Sequence, residues 1–251
     1  MIMRDPMFDY TLRLGDDAFV LGQKLSTWCG HAPCLEVDLG LSSLALDLVG
    51  HGTDWLELAA RVEGAGRDAD TLAFRRSPDL FQNCLLVEQA NGDFAQTLAR
   101  QFLFSNWQHL MLEALSASSD KAIAGIAGRC VRDVAYHVDF SRDWMIRLGD
   151  GACLSHQRLV KSLEMMSRYV DELFVMDAVD DALLSRGISV DKTALRPEYD
   201  ARIMAVLQEA GLTAPRPQTP LIGKRRVHGE DVRQLEEMQF NTRNGDVRWG
   251  F

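Results

Sequence analysis

The sequence predicts an all-α fold, a bundle of long helices with extra helices at the C-terminal end. Three observations predict it. Apolar residues recur at helical offsets through five long segments. Turn and capping residues, Gly, Asn and Asp above all, separate those segments. No stretch shows convincing strand alternation, and no internal repeat is present.

The first helix is expected over Leu14–Trp28, on Ala18, Val20, Leu21, Leu25 and Trp28. Asp16 and Asp17 suit its start, as caps and as acids at the positive end of the dipole, and Gly30 and Pro33 end it. The second runs from about Cys34 to Glu63. Its leucines, from Leu35 to Leu58, occupy more than one face, which predicts a central helix. Gly40, Gly50 and Gly52 fit either close helix contacts or a bend. The connection Gly64–Asn91 holds short helical turns near 70–74 and 79–87, and Asn91-Gly92-Asp93 signals the next start. The third long helix spans Asp93 to about Ser116, with Phe94, Leu98, Phe102, Ser105, Gln108/His109 and Leu112 on one side. The fourth spans about Asp120–Leu148, through Ile123, Ile126, Cys130, Val134, His137 and Ser141 to a Gly149-Asp150-Gly151 stop. The fifth spans about Leu154–Phe174. Beyond Met176 come a short segment to Arg186, a helix over Pro197–Ala210, an extended Ala214–Pro220 and a last helix near Gly229–Phe240. The reading is one domain over 1–251, with a bundle core of about 10–175 and a C-terminal appendage of about 176–251.

A hydrophobic content of 47% with 25% charged residues in 251 residues supplies one continuous core. The net charge of −9 argues against nonspecific nucleic-acid binding, which needs a basic surface. No segment approaches ~18 uninterrupted apolar residues, so no membrane span is expected. The start carries Arg4, Asp5 and Asp9 and lacks a signal peptide's apolar stretch, which points to the cytoplasm. Cys29, Cys34, Cys84, Cys130 and Cys153 form no CxxC pair and are expected to be reduced and mostly buried.

Long-helix bundles can hold two metal ions, with a Glu-x-x-His pair from each of two helices and one more carboxylate from each of the others. The i, i+3 spacing aims both side chains inward from one face. None of the six histidines here has a carboxylate three residues before it: Trp28, Leu48, Asn106, Val134, Cys153 and Arg225 stand there. The bundle is therefore read as non-catalytic, with no catalytic, cofactor-binding or metal-binding residues assigned. Candidates for a vestigial centre remain. Asp47 and His51, like Asp133 and His137, are spaced i, i+4 and share a helix face. Each pair suits metal ligation or acid–base chemistry, or simply a hydrogen-bonded polar pair. Asp47, within a leucine-rich run, is expected to be buried, with Arg132, Arg142 or Arg168 to neutralise it. Ser105 and Gln108 stand where a metal-binding bundle uses a carboxylate and a histidine, and neither is a strong ligand for iron. His109 lies one position off that face. Glu164, Asp171 and Glu172 are expected mainly at the surface. Lys224-Arg225-Arg226 reads as a solvated loop, with a phosphate or acidic partner as the other reading. Dinucleotide, P-loop and nucleophile-elbow fingerprints are absent from the sequence.

Several segments go beyond these generic patterns. The block YTLRLGDDAFVLGQKLSTWCGHAPCLEVDLGLSSLALDLVGHG spans Tyr10–Gly52. DTLAFRR, NCLLVEQANGDFAQTLARQF, VRDVAYHVDFSRDWMIRLGDG and VHGEDVRQLEEMQ follow in order. Together they resemble the C subunits of bacterial ring-1,2-phenylacetyl-CoA epoxidases, oxygenases of phenylacetate degradation. The resemblance covers nearly the whole chain and is strongest over Tyr10–Gly151. It implies a ferritin-like fold and a structural subunit without a working di-iron centre. It implies a direct hetero-oligomer with the catalytic A subunits of these enzymes, which hold the di-iron centre and the CoA ester. Their B subunits and a reductase using NADPH, flavin and an iron–sulfur cluster would complete the complex. The chain departs from the resemblance at Ser105-Asn-Trp-Gln108, at Asp133 and at His228-Gly-Glu-Asp231, away from metal binding. The alternative reading is a divergent di-metal oxygenase acting on an aryl-CoA itself, through Asp47, Asp133 and His137.

Overall fold

Asp5 opens the first helix. Its carboxylate accepts the Met7 backbone N–H at 2.9 Å, and Pro6 occupies the first helical position, where no N–H is needed. In this computed structural model, which describes residues 5–215, 219–223 and 239, helix α1 runs Pro6–Ser26. It starts at Pro6 rather than Leu14, so Asp16 and Asp17 lie mid-helix and are buried rather than capping. Gly30, at φ 77°, sits in the turn that returns the chain, and α2 follows at Leu35–Glu63. Left-handed Gly64 ends α2 and donates its N–H to Ala60 at 3.1 Å.

The connection holds α3 (Ala69–Phe74), a 3-10 turn at Pro78–Leu80 and α4 (Leu85–Glu88). Then come α5 (Phe94–Leu115), capped by Asp93, and α6 (Lys121–Gly149), capped by Asp120. Helix α7 (Cys153–Ser167) stops earlier than expected, and a separate 3-10 turn covers Asp171–Phe174. That turn aims Glu172 inward, where it accepts the Leu85 N–H at 2.8 Å. Helices α8 (Ala178–Leu184) and α9 (Arg196–Glu209) complete the described helices. The expected Gly229–Phe240 helix and the Lys224-Arg225-Arg226 cluster lie outside the described residues, except Gln239, whose side-chain amide donates to the Ala73 and Arg76 carbonyls.

Topology follows from connection lengths. Short turns join α1 to α2 and α5 to α6, which makes each an antiparallel hairpin. Gly40 against Phe140, Asp47 with His137, His51 with Asp133 and Asp54 with Arg129 show that α2 and α6 run antiparallel. Helices α2 and α5 are therefore parallel, and the 64–93 connection must cross the bundle lengthwise. Two antiparallel hairpins joined by one long crossover are the ferritin-like arrangement. Among the described residues there are no strands and no helix long and apolar enough to cross a membrane.

The glycines of α2 divide by role. A Cβ on Gly40 would strike the Phe140 ring, and one on Gly52 would press on Phe19, so both are close helix contacts. Gly50 faces open space. The central helix is α5, buried around nearly its whole circumference, not α2. Leu35, Leu39 and Leu46 of α2 project into solvent.

Buried acids on α1 anchor the crossover and the appendage. Asp16 pairs with Arg76 and accepts the Gln82 N–H at 2.8 Å; Asp17 accepts the Cys84 N–H at 2.6 Å. Arg13 pairs with Asp177 at 2.8 Å, and Asp180 of α8 holds Lys192 at 2.7 Å. Tyr199 of α9 is buried and donates to the Leu103 carbonyl of α5. Cys84 and Cys130 are buried, but Cys29, Cys34 and Cys153 are exposed, against the expectation of mostly buried thiols.

Candidate functional site

The two Asp–His pairs read along single helices are crossed in space. His51 of α2 bonds Asp133 of α6 at 3.0 Å through Nε2, and His137 of α6 bonds Asp47 of α2 at 3.2 Å through Nε2. The i, i+4 offset placed the four groups correctly, and the antiparallel register decided the partners. The imidazoles stack at 6.3 Å between centroids, with planes 27° apart. The histidines are interior, and the aspartates lie at the rim with side chains 30% (Asp47) and 51% (Asp133) exposed. Asp47 is therefore not the buried carboxylate expected, since α2 turns it towards the α2–α6 seam. Among the described residues its ion-pair partner is His137 rather than an arginine, and Arg142 pairs with Glu209.

Each Nε2 is committed to an aspartate at the rim, which leaves Nδ1 as the other ring nitrogen of each histidine. Both Nδ1 atoms are buried without a hydrogen-bond partner. A carboxylate holding the far nitrogen of a histidine is the arrangement that orients metal-ligating imidazoles. The inner positions are aliphatic here. Leu48 and Val134, three residues before the histidines, are fully buried.

Helix α5 supplies neutral groups. Ser105 lies 3.3 Å from Ser141 of α6, and this antiparallel register sets Gln108 at the level of His137. Gln108 is buried with its Oε1 unpartnered, and Gln101 is buried with both amide atoms unpartnered. Sequence reasoning missed Gln101 and Ser141 as members of this polar interior. Gln101 was within reach, because 101, 105 and 108 follow the helical offsets of four and seven. His109 lies off the stripe and pairs with Glu113 at 3.2 Å. Glu172 is buried at the crossover, while Asp171 pairs with Arg196, so neither joins the centre.

The residues present do not fit a carboxylate-bridged di-iron group. Such a group draws carboxylates from all four helices. Here the inner positions of α2 and α6 are Leu48 and Val134, and α5 offers a hydroxyl and amides. Among the described residues no group of three or more His, Cys, Asp or Glu side chains is placed to hold a metal ion. Burial, with Asp54 nearby, pushes the Cys130 thiol up to about 12, so this thiol stays protonated near neutral pH.

Comparison with known proteins assigns the family. Residues 2–249 match the family described as phenylacetic acid catabolic protein. The chain belongs to that family. It is similar to the C subunit of 1,2-phenylacetyl-CoA epoxidase from Escherichia coli (strain K12), with 43% identity over 236 residues that cover 93% of this chain and 95% of that protein. Within this chain, the crossed pairs give a titration signature. Burial lowers the His137 pKa below 6.5, against the opposing pull of the Asp47 hydrogen bond. A depressed base binds its proton less readily folded than unfolded. Stability is thus full above 6.5 and falls as pH drops from there towards the folded value. We expect His137→Gln to flatten that part of the curve in urea melts from pH 7.5 to 5. An unchanged slope would remove His137 as its source.

Proposed function

We propose that this chain is a non-catalytic structural subunit of a cytoplasmic, multicomponent phenylacetyl-CoA 1,2-epoxidase. In this reading it stabilises and orients a catalytic di-iron subunit, to which it binds directly. One further subunit, together with an NADPH-dependent reductase carrying flavin and an iron–sulfur cluster, completes the complex. One observation carries the reading. The crossed Asp–His pairs frame a bundle centre whose two inner carboxylate positions are Leu48 and Val134. A chain with that centre has the shape of an oxygen-activating bundle and lacks the anionic ligands that hold and bridge two irons.

The test has two arms. The chain purified alone, under anaerobic conditions and with ferrous iron supplied, is expected to bind substoichiometric iron and to form no epoxide from phenylacetyl-CoA. Co-expressed with the catalytic subunit, it is expected to co-purify at fixed stoichiometry and raise that subunit's yield and activity. About two irons per chain, lost in Asp133→Ala, would instead establish the divergent di-metal oxygenase.

A further inference from the structure

We propose that the bundle centre is a built water-binding site, in which ordered waters donate to His51 Nδ1, His137 Nδ1 and Gln108 Oε1 and complete the amide of Gln101. The site joins α2, α5 and α6 where a metal-binding bundle holds its ions. It goes beyond the subunit reading and stands whether or not the chain enters a complex.

The polarity of each orphaned atom follows from its neighbours. A carboxylate oxygen only accepts, so His51 Nε2 donates to Asp133 at 3.0 Å and His137 Nε2 donates to Asp47 at 3.2 Å. A neutral imidazole that donates through one nitrogen presents a bare lone pair at the other. Both Nδ1 atoms are therefore acceptors, and neither has a partner among the described residues. Burial, which lowers the His137 pKa below 6.5, keeps that ring neutral at pH 7.

The register of α5 against α6 brings a third acceptor to the same level. Ser105 meets Ser141 at 3.3 Å. Gln108 follows Ser105 by three residues and His137 precedes Ser141 by four, so both stand one turn on, along the face those serines share. Gln108 Oε1 is unpartnered. Gln101, one turn in the other direction, has neither amide atom partnered, whichever way round the amide is set. The two glutamines stand about 10 Å apart along α5, so they take separate waters.

Burial makes these groups a site rather than a wet surface. Gln101, Ser105, His137 and Ser141 are 0% exposed, His51 6% and Gln108 7%. The site therefore lies inside the bundle and does not depend on what covers its outer faces.

Chemistry selects the occupant. A buried polar atom without a partner has lost its hydration and gained nothing in exchange. Folded proteins meet that need with buried water, which typically makes about three hydrogen bonds to such groups. Water donates two hydrogens, which suits the lone pairs, and also accepts from the Gln101 amide. A divalent cation is the poorer match. The orphaned groups are neutral, and Leu48 and Val134 bring no charge to offset one.

The experiment uses the full chain with isotope-labelled histidine nitrogens. Long-range proton–nitrogen spectra at neutral pH are expected to show His51 and His137 protonated at Nε2, with a hydrogen-bonded lone pair at Nδ1. His51→Gln and His137→Gln assign the two signals. Either ring protonated at Nδ1 would overturn the site, because its acceptor would be gone. Water relaxation dispersion counts the waters held for longer than nanoseconds. It is expected to lose at least one in Gln101→Leu and at least one in Gln108→Leu, and an unchanged count in either would overturn the site as drawn. Should a leucine variant fail to fold, high-resolution crystals of the wild type decide the matter. Water within hydrogen-bond reach of both Nδ1 atoms and of the Gln101 amide would bear the site out. No density there, or a metal ion identified by its anomalous scattering, would overturn it.

Discussion

Replacing Arg76 with methionine is expected to destabilise the fold by about 3–5 kcal/mol, the range for removing one partner of a buried ion pair. Asp16 is fully buried on α1, and Arg76 grips both its oxygens, the longer contact being 3.0 Å. The guanidinium also donates to the Leu72 and Leu80 carbonyls and stacks 4.1 Å over the Phe81 ring. Methionine keeps much of the stem's packing but strands the carboxylate. Burial already raises the Asp16 pKa, against the pull of Arg76. Without Arg76, Asp16 must take up a proton or draw in water, and the Gln82 N–H loses a charged acceptor. The loss should appear as a lower urea midpoint at unchanged slope. Arg76→Met/Asp16→Asn should recover part of it, since asparagine keeps an acceptor for Gln82 without a buried charge. A double variant no more stable than Arg76→Met would place the loss in the carbonyl and ring contacts instead.

The long helices were legible because their signals are local. Apolar spacing set the second, third and fourth helices, and Asn91-Gly92-Asp93 signalled the start of the third, where Asp93 is the cap. The start of α1 was misplaced because Asp16-Asp17 offers the same cap chemistry as Asp5-Pro6. Only tertiary contact shows that the later pair serves Arg76, Gln82 and Cys84. The leucines of α2 misled for a related reason. Periodicity reports that a face is apolar and does not say whether this chain covers it. At the site, the four titratable residues were readable from offsets, but their pairing depends on the axial register of α2 against α6. Nothing within either helix encodes that register. The inward turn of Glu172 is likewise set by its distant acceptance of the Leu85 N–H.

Restoring the inner carboxylates tests whether the crossed pairs are truly the outer support of a lost metal centre. Leu48→Glu or Val134→Glu alone places a carboxylate where the native side chain is fully buried. Each is expected to destabilise by several kcal/mol or to force the new group neutral. Together they create Glu-x-x-His pairs at 48/51 and 134/137, with Asp133 and Asp47 already holding the far nitrogens of His51 and His137. Two carboxylates and two imidazoles facing one another suit a single divalent transition-metal ion. The double variant is therefore expected to bind about one zinc or ferrous ion per chain, and not two, because Ser105 and Gln108 on α5 still supply no anionic ligand. Metal at a hundredfold excess over Kd would return about 2.7 kcal/mol of stability. Adding His137→Gln should abolish the metal-dependent shift. A folded double variant that ignores metal would mean the inner nitrogens do not converge, and the crossed pairs would then be a hydrogen-bonded seam between α2 and α6 and nothing more.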